Sequence, residues 1–334
     1  MPTALAARAA KPSLPVARQF LLPTAIFLVL ALLPVAAALS AQQYLVDLAT
    51  RVMVFAVAAV ALDVLVGYGG LISFGHAGFI GLGAYAVGIL SAHGIGDALV
   101  ALPAAIAASM LFAWLTGIVC LRTKGVYFIM ITLAFGQMIF FVATSLAPYG
   151  GDNGLTIAAR NTVAGWALMK DDRAFYYVTL LGLLATYLFC RTLVGSRFGR
   201  VLRGGKDNAT RMATIGFTIR RFQLVAYVIA GGLGGLSGFL LANSTEFVSP
   251  AYMSWQQSGE LIVMVILGGL GTLHGAILGT AAYLLVEEWL SGVTENWQAI
   301  FGPLLVLVVL FARGGLLGLG SMPRGRFFGG VGNG

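Results

Sequence analysis

The sequence predicts an all-α protein, a polytopic membrane bundle of 8–10 transmembrane helices with short or broken Gly-rich segments. Of its 334 residues, 59% are hydrophobic and 10% are charged, whereas a soluble domain carries about 25% charged residues. The apolar residues form long segments near the length of about 20 residues that crosses a bilayer core. Most charged residues lie between those segments, as expected of loops that leave the membrane.

Ten apolar segments give the order of the predicted helices. The first, 20–39, is too long for the core of a cleaved signal and is interpreted as a transmembrane helix. The eighth and ninth are short and rich in glycine, which suits close helix packing. They predict either two short tilted helices or one re-entrant hairpin. The segments are approximately 20–39, 48–66, 76–92, 98–120, 125–147, 174–193, 223–242, 258–273, 276–290 and 298–312.

The distribution of charge predicts the orientation of the helices. With the N-terminus inside, the inner segments contain 16 of the 20 lysines and arginines, and Asp207 is their one acid. Such a bias follows the positive-inside rule and predicts two cytoplasmic termini. It also accounts for the net charge of +8 through contact with membrane lipid, without a nucleic-acid partner. The predicted parts are an N-terminal tail 1–19, a transmembrane domain 20–312, an outer loop 148–173, an inner loop 194–222 and a C-terminal tail 313–334.

The inner loop contains 7 of the 16 inner lysines and arginines, more than any other inner segment. Three of its basic residues recur at every third position over 200–206, which places them on one face of a short surface helix. This pattern fits an anchor on anionic lipid, or a coupling helix held by an ATPase. Polar residues that follow suit a helix end, whereas Gly204–Gly205 weakens the helix. The candidate coupling residues are Arg197, Arg200, Arg203, Lys206, Asp207 and Asn208.

Two glycine-rich stretches, 62–85 and 247–283, predict broken helices. Irregular backbone at membrane depth is tolerated where it is buried in protein or lines a wet cavity. These stretches therefore predict either a wall of a transport pathway or tight helix packing. Asp63 is a functional candidate because an intramembrane charge is costly. The alternative is interfacial snorkelling or a hydrogen bond to the broken backbone. For His76, we expect a hydrogen bond to neighbouring backbone rather than a role in a proton relay. The candidate pathway residues are Asp63, Gly69, Gly70, Ser73, Gly75, His76, Gly268 and Gly269.

The sequence lacks the motifs that would give the chain its own chemistry. It has no Walker A sequence, no HExxH and no GxSxG. Its three histidines are too scattered to suggest a metal site, so no catalytic residue, metal or cofactor is predicted on this chain. Energy for transport would come from a partner, or from an ion gradient acting through Asp63. Without a cluster of histidines, cysteines or acids, a membrane enzyme is disfavoured.

Several motifs occur in an order typical of one family. GYGGLISFGHAGFIGLGAY (67–85) resembles the signature of branched-chain amino acid ABC transporter permeases, and GHAGF (75–79) resembles their M-type subunit. GDNGL, the basic inner loop, FVSPAYMSW and VILGGLGTLHGAILG extend the resemblance over roughly 50–312. The chain departs from the family pattern at Gly204–Gly205 and at Ala209, within the presumed ATPase contact.

The resemblance implies a permease domain in a heteromeric ABC importer of the bacterial inner membrane. The implied partners are an H-type sister permease, two ATPases that bind ATP and Mg, and a periplasmic amino-acid-binding protein. The implied cargo is leucine, isoleucine or valine, moved by alternating access without covalent chemistry. Urea, short amides and other hydrophobic amino acids are alternative cargoes, and an ion-coupled secondary transporter is an alternative class.

Overall fold

The computed structural model describes residues 16–40, 43–166, 168–294, 296–311 and 315–316. Helices dominate this part of the chain, and one short two-stranded ribbon accompanies them. The helices are α1 (Val16–Ser40), α2 (Tyr44–Asp63), α3 (His76–Ala92), α4 (Ala98–Cys120), α5 (Val126–Ser145), α6 (Asp172–Gly195), α7 (Arg197–Thr214), α8 (Ile219–Thr245), α9 (Trp255–Gly268), α10 (Leu273–Val293) and α11 (Trp297–Phe311). The strands are β1 (Leu155–Thr156) and β2 (Phe247–Val248).

The predicted helical membrane bundle is confirmed. Within the described ranges, seven helices are long and apolar enough to cross a bilayer: α1, α2, α4, α5, α6, α8 and α10. The span of α2 includes a π-helical extension, Val64–Tyr68, at its C-terminal end. The shorter α3, α9 and α11 correspond to the remaining predicted segments. The eighth predicted segment continued to 273, but α9 ends at Gly268 because Gly269 and Gly271 have positive φ. With 14 residues, α9 is about 21 Å long, and α10 has the length of a full span.

The bundle has two ends that differ in structure. We call one the α7 end, because α7 lies across it, and the other the strand end, because β1 and β2 pair there. At the strand end, the predicted outer loop folds into a cap of short 3-10 turns and strand β1. Arg160 holds this cap together, since its guanidinium contacts Asp172 at 2.6 Å and Glu246 at 3.4 Å.

Helix α2 occupies the centre of the bundle. Of its membrane-spanning segment, 94% is buried, whereas the corresponding share is 17% for α1 and 22% for α5. It contacts α6, α8, α9 and α10, and Ser237 of α8 donates a hydrogen bond to the carbonyl of Val54. The apolar character of α2 therefore supports packing against other helices rather than exposure to lipid.

Glycine allows α3 and α8 to pack backbone against backbone. A Cβ atom at Gly238 would lie 2.0 Å from the carbonyl oxygen of Ile80, and one at Gly83 would lie 2.4 Å from that of Gly235. Neither neighbour can move away, because each is the main chain of a helix. The two glycines therefore set the distance between α3 and α8, as small residues do at membrane helix interfaces.

Candidate functional site

Helix α7 is attached to the C-terminal ends of α6 and α2 through its basic side chains. Arg203 Nη2 donates to the carbonyl oxygen of Val194 at 2.7 Å, and Lys206 Nζ donates to that of Gly67 at 2.6 Å. A weaker contact joins Arg200 Nη1 to Gly195 O at 3.4 Å. The last carbonyls of a helix lack helical partners, and a cation there also interacts favourably with the helix dipole.

This arrangement explains the spacing of the three basic residues. A period of three places them on one face, and that face is turned towards the bundle. The guanidinium of Arg203 also lies over the ring of Tyr68, 5.1 Å from its centroid. Buried Val201 and Leu202 add apolar contact. Contact of Arg200, Arg203 and Lys206 with an ATPase stays a prediction, and the structure gives them an attachment role within this chain.

Helix α7 consists of two pieces that meet at Asn208. The backbone of Asn208 is extended (φ −159°, ψ 96°), and its Oδ1 accepts a hydrogen bond from the backbone N–H of Arg211 at 2.9 Å. Asn208 thus caps the start of the second piece, as asparagine commonly does. Asp207 and Thr210 beside it are exposed, as is Arg197 at the start of α7.

The glycine pair in α7 has a packing role. We expected Gly204–Gly205 to weaken the helix, but the helix continues through it and bends at Asn208. A Cβ atom at Gly204 would lie 2.7 Å from the sulfur of Met212, and one at Gly205 would lie 2.7 Å from Cγ2 of Ile219. The glycines therefore allow the second piece of α7 and the start of α8 to pack closely against the first piece.

Asp63 connects α2 to the turn between α9 and α10. Its side chain is fully buried, and Oδ1 accepts a hydrogen bond from the N–H of Gly271 at 2.8 Å, while Oδ2 has no partner among the described residues. Gly67 lies against the same turn, because a Cβ there would be 2.4 Å from the Gly271 nitrogen. The hydrogen bond between Asp63 and broken backbone, one of the predicted alternatives, is present, and its donor is Gly271 in the second glycine-rich stretch. A functional role of Asp63 stays a prediction.

The segment between α2 and α3 re-enters the bundle. Its Phe74 N–H bonds to Thr132 Oγ1 of α5 at 3.2 Å, and Ala77 N–H bonds to Ser258 Oγ of α9 at 3.1 Å. The ring of His76 lies near the backbone of Ala58. Along the helix axis, Ala58 lies about 15 Å before Tyr68, where the extension of α2 ends at the α7 end of the bundle. Helix α3 therefore begins inside the bundle, well below the α7 end.

The ring of His76 lies beside backbone, as we expected, at Ala58 of α2. The ring is fully buried, and both of its nitrogens lack a partner of hydrogen-bond geometry within the described residues. It packs edge-on against Phe79, with ring centroids 5.5 Å apart. A hydrogen bond from the His76 ring to this backbone therefore stays a prediction.

Most of the predicted pathway residues lie in closed packing. Gly69, Ser73, Gly75, Gly268 and Gly269 are buried, like Asp63 and His76, and only Gly70 among them is exposed. Gly70 lies against the Lys206 side chain. A groove of about 460 Å³ opens elsewhere, between α1, α2, α6 and α10, and it is lined by apolar side chains and by none of these residues. Their role in a pathway stays a prediction.

An ion-pair cluster at the strand end was missed from the sequence. Arg51 of α2 contacts Glu287 at 3.4 Å and Glu288 at 3.9 Å, both on α10, and Tyr44 donates a hydrogen bond to Glu288. The distribution of charge puts all three charged residues on the outer side but does not pair them. The available signal was that Arg51 and the two acids each lie within an apolar helix, where a charge requires a partner.

We expect Asp63→Leu to destabilise the fold and Asp63→Asn to preserve it. The leucine leaves the Gly271 N–H buried without an acceptor, which costs about 1–3 kcal/mol. The asparagine retains an oxygen in the same place. Thermal unfolding of the two purified variants in detergent measures the difference. Equal unfolding midpoints would show that the hydrogen bond between Asp63 and Gly271 contributes little to the stability of the fold.

Comparison with known proteins places the chain in one family. Residues 44–311 match the family model described as branched-chain amino acid transport system / permease component. The high-affinity branched-chain amino acid transport system permease protein LivM of Salmonella typhimurium is 26% identical over 296 residues, and that of Escherichia coli is 27% identical. Each alignment covers 81% of this chain and 69% of the relative. No solved structure matches the chain.

Proposed function

Because this chain belongs to the family of branched-chain amino acid transport permease components, we propose that it is the transmembrane subunit of an ATP-binding-cassette importer for leucine, isoleucine and valine. The family match spans most of the described helices, and both relatives carry names that state this transport system. The transport itself is movement through the membrane by alternating access, without covalent catalysis on this chain.

The observation that carries the coupling to ATP is the structure of α7. It is a basic helix of 18 residues outside the apolar segments, attached to the ends of the central helix α2 and of α6. It also carries exposed polar residues, among them Arg197, Asp207 and Asn208. An ATPase that binds these residues contacts an element whose motion is linked to the bundle.

The proposed orientation follows from the charges at the two ends. The α7 end contains the basic loop residues and is cytoplasmic, whereas the strand end contains most of the acids and faces the periplasm. This places the described α1 with its start at the cytoplasmic side of the inner membrane. Of the predicted tails 1–19 and 313–334, residues 1–15, 313–314 and 317–334 lie outside the described residues.

The proposed complex contains four kinds of protein. This chain and an H-type sister permease form the pathway, and two ATPases bind at the α7 end and hold ATP and Mg. A periplasmic amino-acid-binding protein docks at the strand end, where the cap is fixed by the Arg160 contacts to Asp172 and Glu246. The cargo-binding residues are shared with the sister subunit, and no cofactor is proposed on this chain.

Uptake of radiolabelled leucine tests the proposal. Cells lacking this gene are compared with complemented cells, with unlabelled valine or urea as competitor and with ATP depleted in a parallel sample. We expect ATP-dependent uptake that valine competes and urea does not. Competition by urea or a short amide would keep the importer class and change its cargo.

The same assay separates the importer from an ion-coupled transporter that uses Asp63. Since Asp63→Asn retains the acceptor for Gly271, we expect this variant to keep ATP-dependent leucine uptake. An ion-coupled transporter would lose uptake in this variant. It would also stop when an uncoupler is added to cells that still hold ATP, and that result would contradict the proposed class.

A further inference from the structure

The side chain of Lys206 joins α7 to the end of the central helix. Its Nζ donates to Gly67 O at 2.6 Å, and its aliphatic part lies against Gly70. Gly67 belongs to the π-helical turn Val64–Tyr68 that extends α2. The contact is therefore made to the last turn of a helix whose remaining length is enclosed by α6, α8, α9 and α10.

Gly67 is also the residue where α2 touches the turn between α9 and α10. Its Cα is so close to Gly271 that a Cβ atom would lie 2.4 Å from the Gly271 nitrogen. One helical turn earlier, Asp63 Oδ1 accepts the hydrogen bond from that same nitrogen. Three separate elements, α7, α2 and the 269–272 turn, thus meet around one glycine.

The π-helical turn is the part of α2 that is suited to bend. Single π turns within α-helices are rare and occur frequently at functional sites. The chain after this turn has weak helical constraint, since Gly70 has φ +68° and regular structure resumes at His76. Before the turn, α2 itself is packed against α6, α8, α9 and α10. A force applied at Gly67 therefore moves the turn before it moves the rest of α2.

We propose that Lys206 is the positioning residue through which displacement of α7 reaches the membrane interior. In this role its bond to Gly67 moves the π-helical turn, and the contact of Gly67 with Gly271, beside the hydrogen bond of Asp63 to the same nitrogen, moves the start of α10. The inference rests on the proposed function, in which ATPases displace α7.

Attachment of α7 to α6 does not depend on Lys206. Arg203 holds the carbonyl of Val194, and Arg200 holds that of Gly195. Removing the Lys206 ammonium therefore leaves α7 docked on α6, with Arg203 over the ring of Tyr68, and removes the hydrogen bond from α7 to the main chain at the end of α2. This separation distinguishes a role in transmission from a role in folding.

The test uses the complete transporter in proteoliposomes, with leucine and its binding protein, and measures ATP hydrolysed per leucine transported. We expect Lys206→Met to raise this ratio about tenfold or more, within the range of ordinary coupling energies. Lys206→Arg, which can still donate to Gly67, should restore a ratio near that of the wild type. The matched control is Lys124→Met, which removes an exposed lysine from the turn between α4 and α5 at the same end.

An unchanged ratio in Lys206→Met would overturn the role of Lys206 while leaving the importer assignment intact. A wild-type complex that neither hydrolyses ATP nor takes up leucine would instead overturn the proposed function, and the role of Lys206 with it. The two failures are therefore distinguishable in one experiment.

Hydrogen exchange on the wild-type complex decides the question even if Lys206→Met assembles poorly. On addition of ATP, we expect exchange to change together in 197–214, in 64–71 and in 269–272. A change confined to 197–214 would show that motion of α7 does not reach α2 and would overturn the proposal.

Discussion

Gly238→Ala is expected to remove most of the folded protein from the membrane. The added methyl would lie 2.0 Å from the carbonyl oxygen of Ile80 and 2.8 Å from the nitrogen of Ala84. Both atoms are main chain of α3, so the clash is relieved only by separating α3 from α8. We expect a loss of stability at or above the upper end of the range for overpacked cores, about 3 kcal/mol.

The measurement is the yield of monodisperse protein in detergent, together with its thermal unfolding midpoint. Gly292→Ala is the matched control, because Gly292 lies in α10 with nothing within 4 Å of the added methyl. Alanine is the better helix former by about 1 kcal/mol, so the control should be neutral or slightly stabilising. Normal yield and midpoint for Gly238→Ala would contradict the close approach of α3 and α8.

The double change Arg203→Glu with Lys206→Glu is expected to abolish leucine uptake and to leave membrane insertion intact. Each cation that donates to a helix-terminal carbonyl becomes an anion facing the same oxygen. Hydrogen bonds to charged groups contribute about 1.5–3 kcal/mol each, and here they are replaced by repulsion. We therefore expect α7 to detach from α6 and α2.

Detachment is measured by limited proteolysis of inside-out vesicles, in which cleavage within 197–214 should accelerate. The charge-preserving exchange Arg203→Lys with Lys206→Arg serves as control and should retain uptake and protection. Wild-type uptake by the double glutamate variant would remove the assignment of α7 as a coupling helix. Retained protection with lost uptake would place the defect at the ATPase contact instead.

Much of the fold follows from local features of the sequence. Hydropathy predicted each membrane helix because a span must be apolar along its length. Positive φ at Gly269 and Gly271 ends α9 where the glycine-rich sequence indicated a break. The basic period of three predicted a surface helix, and α7 is one. These features are local, so neighbouring residues suffice to specify them.

The roles within the candidate site depend on contacts that are distant in sequence. Spacing placed the basic residues of α7 on one face, but it did not say that this face meets Val194 and Gly67. Likewise, the partner of Asp63 lies 208 residues away at Gly271. The position of the His76 ring beside Ala58 had no local signal either. Such pairs are set by the packing of whole helices, which periodicity alone does not determine.

The position of α2 at the centre of the bundle also has a consequence for synthesis on the ribosome. This helix leaves the translocon before α6, α8, α9 and α10 exist, so lipid must solvate it first. The ion pair between Arg51 and Glu287 can form only after 236 further residues have been synthesised. At cellular translation rates, that interval is roughly 10–50 s. The nascent chain therefore carries a cation without its acidic partner in a newly inserted helix until residue 287 of the 334 has been made.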